Sequence, residues 1–326
     1  MDGLNDTQRY FVEEHIEDFR DGLIGRRELI RRVAIVVGSA AAATTLLAAC
    51  DLSPRSSATT SPTAPAATAS PTQGLVAQPF ATPPPAATTN GVTVTENDPR
   101  IAASKPEIKG ADGMSLMAYV AKPIVSGRVS GVMVIHENRG QTEHIRDVVR
   151  RAATAGFVAV NIDLTARQGG GDKLGDAVTG VIGNLPPQQK LDDHAAALSY
   201  LKANTSGAIG VVGFCFGGGE VWNLLAAGAD LKAAVPYYGP QPSNYQDIGT
   251  KTKAATLAVY AEQDTRIPST APQMEEQLRK ARVPNQILVF PGVNHAFHND
   301  TGARYAPEAA QKAWVATIEW FRKYLV

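Results

Sequence analysis

From Met114 onward, short apolar runs alternate with amphipathic stretches. "GVMVIHE" is a continuous apolar run of strand length that ends in charge. "TEHIRDVVRRAATAGF" follows it, with Ile145, Val148, Val149 and Ala152 at helical spacing and a glycine near the end. "VAVNIDL", "AIGVVGF", "AAVPYYG", "ATLAVYAEQD" and "NQILVFPG" are further runs of the buried-strand kind. Helical stretches such as "QQKLDDHAAALSYLKAN" and "APQMEEQLRKAR" lie between most of them, and "PEAAQKAWVATIEWFRKYL" closes the chain. Strands that are apolar throughout and joined through helices imply right-handed crossovers. The expected architecture is an α/β fold with a mostly parallel sheet and helices on both faces.

Ahead of that pattern the chain reads differently. In "GRRELIRRV" the paired Arg26 and Arg27 precede a weakly apolar run, "VAIVVGSAAAATTLL", and then "LAAC". A charged flank, an apolar stretch too short to span a bilayer comfortably and small residues before a cleavage point describe an export signal over residues 1–49. The arginine pair resembles a twin-arginine signal, which implies the twin-arginine export machinery as a partner. "LAAC" resembles the lipobox of bacterial lipoproteins, which implies a lipid on Cys50 and a membrane as the second partner. The alternative is a short uncleaved membrane anchor, and either way the folded part is expected outside the cytoplasm, tethered to a membrane. Residues 50–90 are nearly all Ser, Thr, Pro and Ala and bury too little apolar surface to offset ordering entropy, so a disordered linker is expected there. The folded unit is expected over 91–326.

Composition narrows the function. The chain has 326 residues, of which 44% are hydrophobic, and its net charge is +0. That length supports one substantial domain with appendages. Nucleic acid is not expected as a partner, because no run of Lys or Arg concentrates the positive charge that replaces phosphate counterions. Only two cysteines are present. If Cys50 carries lipid, Cys215 has no disulfide partner in the chain, and an exported thiol is then either buried or used.

In a sheet of this kind ligands bind beyond the carboxyl ends of the strands. The residues there are Glu137, Asp163, Cys215, Asp264 and, a little after its strand, His295. "GFCFG" around Cys215 has the form of the G-x-S-x-G nucleophile elbow with sulfur in place of oxygen. Gly213 and Gly217 would let strand and helix approach closely, and the helix N-terminus would favour a thiolate and a developing oxyanion. The order Cys215, Asp264, His295 is the nucleophile, acid, histidine order of α/β-hydrolases. The bland alternatives are a small core cysteine, a turn-forming aspartate and a satisfied loop histidine. His298 is the rival base. His295 is preferred because "GVNH" follows the strand directly, whereas "HND" reads as a surface turn.

"HENRG", "IDLTARQGG", "GFCFGGG", "EQD" and "NHAFHND" with the aromatic final helix are arranged as in the dienelactone hydrolase (carboxymethylenebutenolidase) family, which residues 106–326 resemble. The resemblance implies a Cys215, Asp264, His295 triad, Glu137 as the carboxylate that contacts the thiol, and Arg167 facing a substrate carboxylate. Backbone N–H groups of Phe216 and Asn138 are then expected to hold the oxyanion. One position departs. The family places a second substrate-binding arginine where this chain has Asn299, so a two-arginine carboxylate clamp is not expected.

The expected function is hydrolysis of a small-molecule ester or lactone by an exported, lipid-anchored enzyme. No cofactor is expected, and no metal, because the histidines lack zinc-binding spacing. The alternatives are a catalytically inactive solute-binding lipoprotein and a thioesterase or peptidase on the same scaffold.

Overall fold

The computed structural model of the chain describes residues 1, 3–50, 52–53 and 92–325. The linker expected over 50–90 lies outside them apart from Cys50, Leu52 and Ser53. Among the described residues nine strands form one sheet. They are β1 (Ile101–Ser104), β2 (Glu107–Lys109), β3 (Ser115–Pro123), β4 (Gly131–Ile135), β5 (Val158–Ile162), β6 (Ile209–Phe214), β7 (Ala233–Tyr237), β8 (Ala255–Ala261) and β9 (Asn285–Phe290). The order is β1-β3-β5-β4-β6-β7-β8-β9, with β2 paired to β3. Pairs involving β3 are antiparallel, and every pair from β5–β4 across to β8–β9 is parallel.

Strands β4 to β8 are buried along their whole length, which requires cover on both faces. The helices supply it. The N-terminal ones are α1 (Asp6–Arg20), α2 (Arg26–Val37) and α3 (Ala40–Ala48), and α4 (Glu143–Thr154), α5 (Gly171–Leu174), α6 (Val178–Asn184) and α7 (Pro187–Asn204) follow. The series closes with α8 (Phe216–Ala227), α9 (Ile248–Lys251), α10 (Ala271–Ala281) and α11 (Pro307–Tyr324). The chain enters the sheet tied to α4: the fully buried Asp147 accepts the backbone N–H groups of Thr93 and Val94 at 3.0 and 2.7 Å. The α/β architecture anticipated from the apolar runs is the one observed.

The N-terminal residues depart from expectation. Their helices belong to the packed structure, although the folded unit was expected to begin at Gly91. Helix α1 opens with a capping box between Asn5 and Gln8. It buries Tyr10, Phe11, Val12 and Ile16 in the common core and contacts α2 and α6. The apolar stripe that does this is interrupted by carboxylates, so it has little of the character of a core helix in sequence. No single helix among the described residues is long and apolar enough to cross a membrane, and α2 and α3, which together have the length and composition, are bent by 114°.

Candidate active site

The turn between β6 and α8 is built by its glycines. Cys215 sits at φ 57°, ψ −121°, in the left-handed half of backbone space that a side chain avoids. A Cβ on Gly213 would lie 2.1 Å from the Gly217 carbonyl oxygen, and one on Gly217 would lie 2.5 Å from that of Ile135. Both obstacles are backbone and cannot swing aside, so glycine is required at these two positions. Strand β6 pairs Gly213 with Ile135 and Phe214 with Tyr237, which holds the turn at the carboxyl edge of the central strands. The sulfur projects there at the start of α8, with the Phe216 N–H favouring its thiolate.

Asp264 follows β8 and His295 follows β9, and both are buried. His295 Nδ1 lies 2.5 Å from Asp264 Oδ2. Burial works against the Asp264 charge, but the adjoining imidazole outweighs it and holds the carboxyl below its usual range. The aspartate therefore accepts from Nδ1–H, which leaves Nε2 as the basic nitrogen. His298 is not a surface residue. It is fully packed against Phe214, Tyr237 and Trp314, with ring centroids 4.8, 5.4 and 5.8 Å away, and neither ring nitrogen has a hydrogen-bond partner. Burial and the neighbouring His144 push its pKa well down, so it is a neutral aromatic filler.

Between Cys215 and His295 stands a residue that sequence reasoning missed. The Tyr10 hydroxyl of α1 lies 3.3 Å from Cys215 Sγ and 3.2 Å from His295 Nε2. One turn on, Glu14 takes the thiol hydrogen bond at 3.6 Å with Oε2 and accepts from the Asn138 side chain at 3.0 Å with Oε1. Burial, then the negative charges of Glu14 and Glu137, push the Cys215 thiol well above its usual range. The detectable signal was the string "RYFVEEHIEDF", in which aromatic and acidic residues recur at helical spacing.

Two expected contacts are replaced. Glu137 was expected to contact the thiol, but its Oε2 accepts from the Asn299 amide and Glu14 holds the thiol instead. Asn299 thus anchors a carboxylate of the protein at the position where a second arginine was sought. Arg167 was expected to face a substrate carboxylate, but its guanidinium is committed to two aspartates. Nη1 and Nη2 donate to Asp193 at 2.5 and 2.8 Å, and Nε and Nη2 donate to Asp112 at 3.1 and 3.0 Å. It does not line the cavity that reaches Cys215. That cavity, of 610 Å³, runs between Glu14, Asp18 and Arg32 on the N-terminal side and Glu137, Asn138 and Asn299 on the other. The exposed Arg139 lies at its rim.

Replacing Arg167 by alanine should therefore strip the partner from the fully buried Asp193 and lower stability by about 3 kcal/mol. Urea unfolding would measure it, alongside turnover of acidic and neutral esters. Lost preference for acidic esters at unchanged stability would return Arg167 to substrate binding.

The donor atoms of Glu14, Cys215 and His295 gather within 4.8 Å of one another, a mixed set of the type zinc accepts. The Tyr10 and Glu14 hydrogen bonds account for that closeness by themselves. Cys50 lies just beyond the end of α3, and its thiol donates to the Leu46 carbonyl at 3.4 Å.

Residues 116–325 match the profile of the dienelactone hydrolase family. A relative from Salmonella typhi, named "Putative carboxymethylenebutenolidase", is 34% identical over 229 residues, which is 66% of this chain and 85% of its own length. One of the same name from Methylorubrum extorquens is 33% identical over 247 residues, 71% of this chain and 84% of its own. The crystal structure described as "Putative Dienelactone Hydrolase from Klebsiella pneumoniae" superposes with a TM-score of 0.62 at 31% identity, covering 69% of this chain and 99% of that one. Helices α1 to α3 lie outside the profile match.

Proposed function

We propose, for a chain that belongs to the dienelactone hydrolase family and is an ester or lactone hydrolase, that the reaction runs through Cys215, His295 and Asp264. The observation that carries this reading is the cysteine held at positive φ on a strand-to-helix turn beside a histidine already oriented by a buried aspartate. In the proposed cycle His295 Nε2 takes the thiol proton, and the sulfur attacks the substrate carbonyl carbon to form a tetrahedral oxyanion. The Phe216 and Asn138 N–H groups are assigned to that oxyanion. The carbon–oxygen bond of the leaving group then breaks, and His295 returns its proton to the departing oxygen. The acyl group remains on sulfur as a thioester. Water, deprotonated by His295, attacks the thioester carbonyl and releases the carboxylic acid and the Cys215 thiol. Asp264 stays ionised throughout and stabilises the imidazolium.

With Arg167 committed to aspartates and Asn299 to Glu137, no built carboxylate clamp is found among the described residues on the route to Cys215, and a free carboxylate on the ester or lactone should confer no advantage. A panel of p-nitrophenyl esters and lactones, with and without a free carboxylate, tests this. Comparable kcat/KM for matched neutral and acidic members is expected. Turnover confined to acidic members would overturn it.

The export and lipid-anchor reading belongs to the same proposal. It rests on Arg26, Arg27 and the "LAAC" ending at Cys50. Changing both arginines to lysine should retain the protein in the cytoplasm, and Cys50→Ser should abolish palmitate labelling. Labelling that survives Cys50→Ser would remove the lipid anchor.

A further inference from the structure

We infer that α1 is an intramolecular inhibitor: docked on the catalytic domain it closes the site at Cys215, and undocking or removing residues 1–49 opens it. The inference rests on the reading of Cys215 and His295 as nucleophile and base.

Three observations carry it. The first is position. The Tyr10 hydroxyl is within hydrogen-bond distance of both the sulfur and His295 Nε2, so it fills the place a leaving-group oxygen must take to receive the proton from Nε2. Glu14 places a carboxylate against the thiol and the Asn138 side-chain amide, beside the sulfur from which the product acid would be released. The pair copies the two products of ester cleavage, an alcohol oxygen and a carboxylate, on one helical turn. With α1 docked, Cys215 is 2% exposed and His295 1%, and Tyr10 and Glu14 occupy the space against the sulfur where the neighbouring cavity ends.

The second is complementarity. Residues Glu17, Asp18 and Asp21 of the α1 segment meet cations from the loops that carry the catalytic residues. Glu17 pairs with Arg266, two residues after Asp264, at 2.7 Å. Arg304 bridges Asp18 and Asp21 at 2.7 and 2.8 Å. The Arg266 guanidinium also lies 5.2 Å over the Tyr10 ring. An ordinary surface helix has no reason to direct its polar contacts at the nucleophile, the base and the loop beside the acid. The apolar side is matched too: Phe11 is fully buried, its ring 5.6 Å from that of Phe216, the residue after the nucleophile.

The third is connectivity. All three N-terminal helices precede Cys50 in the chain. A cut before Cys50 therefore leaves the helices attached by non-covalent contacts alone, and the docked segment becomes a separate peptide that dilution can remove. Before the cut the same segment is held at high effective concentration.

The test uses the full chain carrying Cys50→Ser, which leaves Cys215 as the sole cysteine. Two variants loosen α1 without touching the groups that react: Phe11→Asp, which puts a charge into the apolar contact, and the milder pair Asp18→Ala with Asp21→Ala, which removes ion pairs and leaves the core intact. Iodoacetamide labelling of Cys215 and p-nitrophenyl acetate turnover are both measured. Rates scale with the open fraction, so each variant should raise both by about tenfold or more. Equal labelling in the parent and in both folded variants would overturn the inference. Faster labelling without any ester turnover would uphold the inhibitor and overturn instead the assignment of Cys215 and His295 to hydrolysis.

Discussion

Replacing Cys215 by alanine is expected to lower ester turnover by about four to six orders of magnitude, the range seen when a catalytic nucleophile is removed from a hydrolase triad. The size follows from the chemistry. Without sulfur no acyl-enzyme forms, and only oxyanion stabilisation of direct water attack remains. The fold should survive, because the change truncates one small side chain at a turn whose geometry is set by Gly213 and Gly217. The comparison is best made in both the parent chain and the Phe11→Asp background, so that closure by α1 does not mask the loss. Circular dichroism and kcat/KM for a p-nitrophenyl ester supply the two readouts. A folded Cys215→Ala protein with near-parental activity would remove the covalent mechanism.

The second large effect concerns the base. Asp264→Asn should reduce kcat by about 10⁴-fold, because an amide in place of the carboxylate no longer fixes the proton on Nδ1 and Nε2 loses its role. His298→Phe is the matched control. Its ring sits among Phe214, Tyr237 and Trp314 without a hydrogen bond, so a phenyl group of similar shape should leave kcat within a few-fold of the parent. If His298→Phe is the inactive variant and Asp264→Asn the active one, the base has been assigned to the wrong histidine.

The sheet was legible because its central strands are buried on both faces and therefore read as unbroken apolar runs. The residues at their carboxyl ends followed from that reading, and Cys215, Asp264 and His295 do converge on one edge. What the sequence did not show is where long side chains go. Arg167 in "TARQ" and Glu137 in "HENRG" sit in the right strings, but the buried Asp193 claims the first and the Asn299 amide the second. Such pairings are 26 and 162 residues apart in the chain and leave no local pattern. The polar neighbours of His298 in "HND" suggest a surface turn, whereas its burial comes from aromatic residues of β6, β7 and α11. Helix α1 is hidden in the sequence for a related reason. Its many carboxylates suggest a solvated face, and only the arginines at the loops after β8 and β9 convert that face into an interface.

A thioester on Cys215 can be trapped by rapid acid quenching of the enzyme during turnover of a p-nitrophenyl ester and located by peptide mapping with mass spectrometry. A burst of p-nitrophenol matching the concentration of open sites is expected, with the acyl mass on the peptide that contains Cys215 and none in the Cys215→Ala variant. Turnover with no acyl adduct, or with the adduct on another residue, would contradict the covalent mechanism.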